Sequence, residues 1–220
     1  MGTIAAMRNF RSELCEDRCW DRLTQVRFDE RGEALEDCIL QNREELIALC
    51  GFIEAQRIRS YLEIGTWTGR LVSTLHRLFR FDRVAACDDG YARRFGLPIA
   101  LPDDAEFFEG DSSSEHFVRW REGLGHFDLV LIDANHHYRG VRRDFEINRG
   151  FPHRFLAFHD ITGHIPQTRG VKQFWDELTE GRKTEIVRPH RELGLDHSTM
   201  GIGIWSAAER ISSGTPAPRP

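Results

Sequence analysis

The sequence predicts an α/β fold built on a doubly wound, mostly parallel sheet, and three observations carry that prediction. Seven short apolar runs recur at intervals of about 20–30 residues, separated by polar stretches of helical character. Several of the runs end in Gly or Asp, as strands do when they open into a loop at the sheet edge. The length of 220 residues suits one sizeable domain with an extension, not two full domains.

Residues 1–58 are rich in charge and poor in β-branched runs, which predicts an N-terminal helical extension. Within it, residues 41–58 set Leu46, Ile47, Cys50 and Ile53 at helical spacing, so an amphipathic helix lies on the main domain, preceded by a further helical segment. The main domain is expected over 59–208. Its runs are Tyr61–Ile64, Val84–Cys87, Phe107–Phe108, Phe127–Ile132, Phe155–Phe158, Glu185–Val187 and Ile202–Trp205. The last two lack a helical stretch between them, which predicts a terminal antiparallel strand. Residues 209–220 hold Ser, Gly, Thr and three prolines and are expected to be a disordered tail.

Composition narrows the function classes. The net charge of −5, without a basic block, disfavours a nucleic-acid partner. The five cysteines are scattered, none in CxxC spacing, so reduced thiols are expected rather than a zinc finger or a disulfide framework. Apolar runs fall well short of the ~18 residues a membrane span needs. The first residues lack a charged segment followed by an apolar one, so the expectation is a cytoplasmic protein with no membrane partner.

In open sheets of this kind ligands bind beyond the carboxyl ends of the strands, so the polar residues after each run hold the chemistry. After the first run comes Glu63-Ile64-Gly65-Thr66-Trp67-Thr68-Gly69, then a helical pattern. Gly65 permits a tight turn and Gly69 a close approach of the helix start to a ligand. The GxxxG spacing is not the GxGxxG of a dinucleotide cradle, and the nearby Glu63 suits a ligand bearing an amine or sulfonium cation. Asp88 and Asp89 close the second run, where a carboxylate can hold both ribose hydroxyls. After the third, Asp111 can take an adenine amino group, while Ser112 reads equally as a helix cap.

These three segments in register resemble the class I S-adenosylmethionine (SAM)-dependent methyltransferases, whose fold is a Rossmann-like sheet. The resemblance spans about residues 58–206. It implies SAM as cofactor, with Gly65, Thr66 and Gly69 along its methionine and ribose, Glu63 supporting the loop, Asp88 or its neighbour Asp89 at the ribose, and Asp111 with Ser112 at the adenine.

The fourth run leads into Asp133-Ala134-Asn135-His136-His137-Tyr138, and the fifth ends in His159-Asp160. Adjacent strands would bring Asp133 and Asp160 to one edge of the sheet, where two carboxylates and an imidazole suit Mg²⁺ or another divalent ion. Such an ion lowers the pKa of an acceptor hydroxyl, and His136 has the chemistry of a general base near neutrality. This half is similar to the methyltransferase group that includes cephalosporin hydroxylase-like and macrolide sugar O-methyltransferases. The matching stretches run from Leu131 through His136 and Tyr138 to Gly140-Val141 and Asp144, then His159-Asp160-Ile161 and Gly170–Trp175. The resemblance implies metal at Asp133 and Asp160, with His159 as a third ligand where some members carry an acid. It implies His136 as base, with His137 a competitor.

The expectation is therefore a metal-dependent O-methyltransferase acting on a small hydroxylated molecule such as a sugar or secondary metabolite. The rivals are a non-catalytic module binding SAM or its product and a nucleotide-dependent oxidoreductase on a related sheet. Trp67, Tyr138 and Trp175 stand between an aromatic pocket wall and core packing. Homo-oligomerisation is left open.

Overall fold

The computed structural model describes residues 8–20, 38–163, 165–189 and 199–207. All seven apolar runs are strands of one sheet: β1 (Ser60–Ile64), β2 (Arg83–Asp88), β3 (Glu106–Glu109), β4 (Phe127–Ile132), β5 (His153–His159), β6 (Arg182–Ile186) and β7 (Ile202–Ser206). Their spatial order is β3-β2-β1-β4-β5-β7-β6. The chain builds outward from β1 to β3, then returns to the other side of β1 with β4. That reversal puts the topological switch point, where such sheets bind ligands, between β1 and β4. The parallel pairing there is in direct register, Glu63 opposite Leu131 and Ile64 opposite Ile132. β7 runs antiparallel to both of its neighbours, β5 and β6, as the helix-free connection predicts.

Helices cover both faces because strand side chains alternate. On one face Tyr61, Val84, Leu129, Leu131, Ala157 and Ile204 pack against α1 (Arg43–Gln56) and α2 (Arg70–Phe79). On the other, Leu62, Ile64, Ala85, Val130, Ile132 and Phe158 pack against α3 (Glu115–Leu124), α4 (Tyr138–Arg149) and α5 (Arg169–Glu177). α1 buries Leu46, Leu49, Cys50 and Ile53, close to the stripe expected from sequence. Asn42 starts it, its Oδ1 accepting from the Glu44 and Glu45 amides at 2.8 and 3.3 Å.

The segment ahead of α1, expected to be helical, is described only over residues 8–20 and 38–42. Its described residues form one helical turn (Phe10–Glu13) and a two-residue parallel pairing of Arg18–Cys19 with Cys38–Ile39. Phe10, Leu14, Cys19 and Ile39 pack into the same core as α1 and α2. Arg43 holds the turn down by donating to the Leu14 and Asp17 carbonyls, both at 2.6 Å. Residues 21–37 and the tail expected over 209–220 lie outside the described residues.

Candidate active site

Two loop clusters meet at the switch point. The first follows β1. Gly65 has φ +86°, and its amide bonds the Cys87 carbonyl at 2.8 Å, so the chain leaves the strand while still tied to β2. A Cβ at Gly65 would lie 2.2 Å from the Asp133 backbone oxygen. Glycine is therefore required both by conformation and by the closeness of the β4 loop. Glu63 is buried, its two oxygens accepting from the Tyr61 hydroxyl (2.7 Å) and the Thr66 hydroxyl (2.9 Å). Burial outweighs those two bonds and pushes its carboxyl up to about 8. Trp67 follows with φ +53°, an uncommon conformation for so large a residue, and Gly69 leads into α2.

Asp88 is the last residue of β2 and is buried, whereas Asp89 is exposed and paired with Arg94 at 3.1 Å. Asp88 Oδ2 accepts from the Trp67 amide (2.9 Å), and Oδ1 accepts from the Gly90 and Tyr91 amides (2.8 and 3.1 Å). Burial raises its carboxyl above the ordinary range against the pull of those three bonds. It locks the β1 and β2 loops together. Asp111 stands exposed after β3, with Oδ1 accepting from the Ser113 amide at 2.7 Å. Ser112 is buried and turned away from it, donating to Asp144 Oδ1 of α4 at 2.7 Å. The cap of α3 is Ser114, whose hydroxyl accepts from the Phe117 amide, so the cap reading of Ser112 is corrected by two residues.

The second cluster joins the ends of β4 and β5. His136 Nε2 lies 3.1 Å from Asp133 Oδ1 and 3.1 Å from Asp160 Oδ2. His159 Nδ1 lies 3.2 Å from Asp133 Oδ2 and 3.5 Å from Asp160 Oδ2. Asp160 takes a left-handed φ of +64°, which turns it off the β5 ladder towards β4. The start of α5 packs tightly on the His136 loop: a Cβ at Gly170 would meet the Tyr138 amide at 2.3 Å and the His136 carbonyl at 2.5 Å. Burial works to lower His136, but the bonds to Asp133 and Asp160 prevail and hold it at about 10. For His159, burial is likewise overcome by the same two acids, giving about 9. Burial raises Asp133, and the two imidazoles more than reverse it, leaving its carboxyl below the ordinary range.

The carboxylates thus hold two imidazolium charges between them, an arrangement built to receive positive charge. One donor atom each from Asp133, His159 and Asp160 lies within 4.8 Å of the others, a mixed oxygen and nitrogen set that fits a divalent ion. His159 Nε2 is buried without a hydrogen-bond partner among the described residues, so nothing on its far side competes for the ring.

Other candidates separate. His137 is exposed at the start of α4, whereas His136 lies between Asp133 and Asp160, so the two histidines that sequence left in competition differ in position. Trp175 is core, its Nε1 donating to Glu185 at 2.7 Å, which decides for core packing between its two readings. Tyr138 donates to Glu177 at 2.5 Å. Trp67 packs instead with Tyr91 and Phe95, each ring centroid 5.7 Å away. Sequence reasoning missed Gln41, buried and 3.4 Å from Asp133 through its Nε2, and Glu45, buried and accepting from the Gly201 and Arg188 amides. The sequence signal available in this stretch is the Asn42-x-x-Glu45 capping pattern, which marks a helix start and not a site.

The strand order, the glycine turn after β1 and the acid ending β2 define a Rossmann-like α/β domain. Residues 62–161 match the family model described as a methyltransferase domain. These residues carry both loop clusters. Among solved structures it is similar to the O-methyltransferase from Bacillus cereus in complex with SAH, at 15 % identity and TM-score 0.56, covering 93 % of this chain and 94 % of that one. It is also similar to the O-methyltransferase TomG from Streptomyces achromogenes, involved in tomaymycin synthesis and bound to SAM. There the identity is 15 % and the TM-score 0.58, with 93 % of each chain covered. At this identity the likeness speaks for the fold. No curated protein matches the chain in sequence. Among the described residues, no helix is long and apolar enough to cross a membrane.

Proposed function

We propose that the chain transfers the SAM methyl group to a hydroxyl oxygen of a small molecule, with a divalent ion held by Asp133, His159 and Asp160. The observation that carries this reading is the side-chain cluster at the ends of β4 and β5, one residue's width from the glycine turn of the cofactor loop. The O-methyltransferase descriptions of the two similar structures support the oxygen acceptor.

In this reading Gly65, Thr66 and Gly69 line the methionine and ribose, and Glu63 stiffens the loop through Thr66. Asp88 is preferred to Asp89 at the ribose. Its Oδ2 takes a single amide and keeps a lone pair for a ribose hydroxyl, while Asp89 points to Arg94. Asp111, exposed on its loop, takes the adenine amino group, and Ser112 acts beneath it by tethering the loop to α4.

A divalent ion, when bound, supplies Lewis-acid polarisation of the acceptor oxygen. His136 is the proton acceptor. Its imidazole is free for that task when the two carboxylates no longer hold it protonated, and Gly170 fixes its loop against α5. The methyl group then passes in line from sulfur to oxygen, S-adenosylhomocysteine leaves, and the acceptor proton ends on His136. Positioning of the two reactants supplies much of the acceleration.

Calorimetry of SAM binding, for wild type and Asp111→Ala, with EDTA and then Mg²⁺, is the first test. Micromolar binding that Asp111→Ala weakens supports the cofactor assignment and opens a screen of hydroxylated acceptors in Mg²⁺. Absence of binding in every condition removes the reading.

A further inference from the structure

We propose that Gln41, delivered by the segment ahead of α1, is a fourth residue of the divalent-ion site, an inference that rests on the metal reading above. Its Nε2 donates to Asp133 Oδ2 at 3.4 Å across 92 positions of sequence. The side chain is 2 % exposed, and its Oε1 is buried with no hydrogen-bond partner among the described residues.

Backbone contacts on both sides fix where this side chain points. The Gln41 carbonyl accepts from the Trp20 amide at 3.3 Å, and the next residue, Asn42, is locked as the cap of α1. Asn42 Nδ2 also donates to the Arg188 carbonyl at 3.4 Å. The glutamine is therefore held in place rather than folded inward by chance. The amide assignment follows from its neighbour, because Asp133 requires the NH₂ group, which leaves the oxygen as the free acceptor of the side chain.

A buried amide oxygen left unpaired is costly, and few native proteins keep one without use. On a side chain already bonded to Asp133, that oxygen needs either a cation or a hydrogen-bond donor. A hydrated divalent ion supplies both, and uncharged amide oxygens are ordinary ligands of hard cations. Meanwhile Nε2 orients Asp133, as hydrogen bonds to metal-ligating carboxylates commonly do.

The test is Mn²⁺ titration of the full chain, followed by the electron paramagnetic resonance of free Mn²⁺, with SAM calorimetry reporting that each variant is folded. Gln41→Ala is expected to weaken Mn²⁺ binding by about 10- to 100-fold while SAM affinity stays within about twofold. Gln41→Glu keeps an oxygen at the same reach and adds charge, so it should bind Mn²⁺ at least as tightly as wild type. A residue that only packs would move both variants alike, or neither. Gln41→Ala with wild-type Mn²⁺ affinity, or Gln41→Glu as weak as Gln41→Ala, overturns the proposal. Should the alanine variant fail to fold, Gln41→Glu decides alone: tighter binding from the added charge upholds the role, and wild-type affinity or a loss of about tenfold ends it. Asp160→Asn separates the two readings. If it binds Mn²⁺ as wild type does, or if wild type binds none, the metal reading itself falls and this inference with it.

Discussion

The two loop clusters that meet at the switch point are built on opposite principles. On the side of the β1 and β2 loops, the acids are engaged by the protein's own groups: Glu63 by two hydroxyls, Asp88 by three amides. They hold the loops in place. On the ion side, four charged side chains hold one another, and backbone serves only to deliver them. A surface shaped by backbone tolerates few substitutions at its glycines. A cluster of mutually paired side chains can exchange partners when a ligand arrives, and it responds to any change of charge.

The sharpest way to break that contrast is Gly65→Ala. The new Cβ would strike the Asp133 backbone in a left-handed turn, so we expect a loss of roughly 2–4 kcal/mol in urea unfolding together with loss of SAM binding. Wild-type affinity in this variant would mean that the turn does not carry the cofactor.

Glu63→Gln sharpens the contrast through pH. The folded carboxyl stands at about 8 against 4.5 for the ordinary group. A raised value means the native state holds the extra proton, so wild-type stability is fully present below about 4.5 and declines as pH rises towards 8. The decline is on the order of 4 kcal/mol, and denaturant titrations from pH 5 to 8 should show it flattened in Glu63→Gln. Parallel profiles for the two proteins would show that Glu63 is ionised in the fold.

On the ion side, Asp160→Asn removes charge and leaves shape. Turnover should fall on the order of 100-fold in an acceptor assay, with SAM affinity within about twofold of wild type. A matching collapse of SAM binding would show that the two clusters are not separable. The smallest effect is expected of Ser112→Ala, which cuts the tether to Asp144. Stability should drop by about 1 kcal/mol and SAM affinity by less than tenfold, roughly the worth of one hydrogen bond. A larger loss of affinity would bring the Ser112 hydroxyl into direct contact with the cofactor.

Sequence was informative where function depends on local order. The strands are apolar runs, the glycine turn sits next to its strand, and Asp133, His159 and Asp160 follow the ends of β4 and β5, so parallel pairing alone predicts their meeting. Ser112, Trp175 and Gln41 were not legible for one shared reason. Each acts through a contact far along the chain: Ser112 with Asp144, Trp175 with Glu185 beneath β7, Gln41 with Asp133. Residue type and spacing carry no record of such pairs. The stretch before α1 shows the same limit, since Cys19 and Ile39 owe their extended form to burial under the helices and not to local propensity.

The place of β7 has a consequence for the order in which the protein can be completed during synthesis. β5 carries His159, and the hydrogen-bonding edge of β5 is closed only by β7, with His159 opposite Ile202 and Phe158 opposite Gly203. Every other strand of the sheet precedes β7 in the chain. A nascent chain that has already emerged through Asp160 therefore presents the strand that carries His159 as a bare, apolar sheet edge, open to pairing with a neighbouring chain. It stays so until residues 202–206 arrive to cover it.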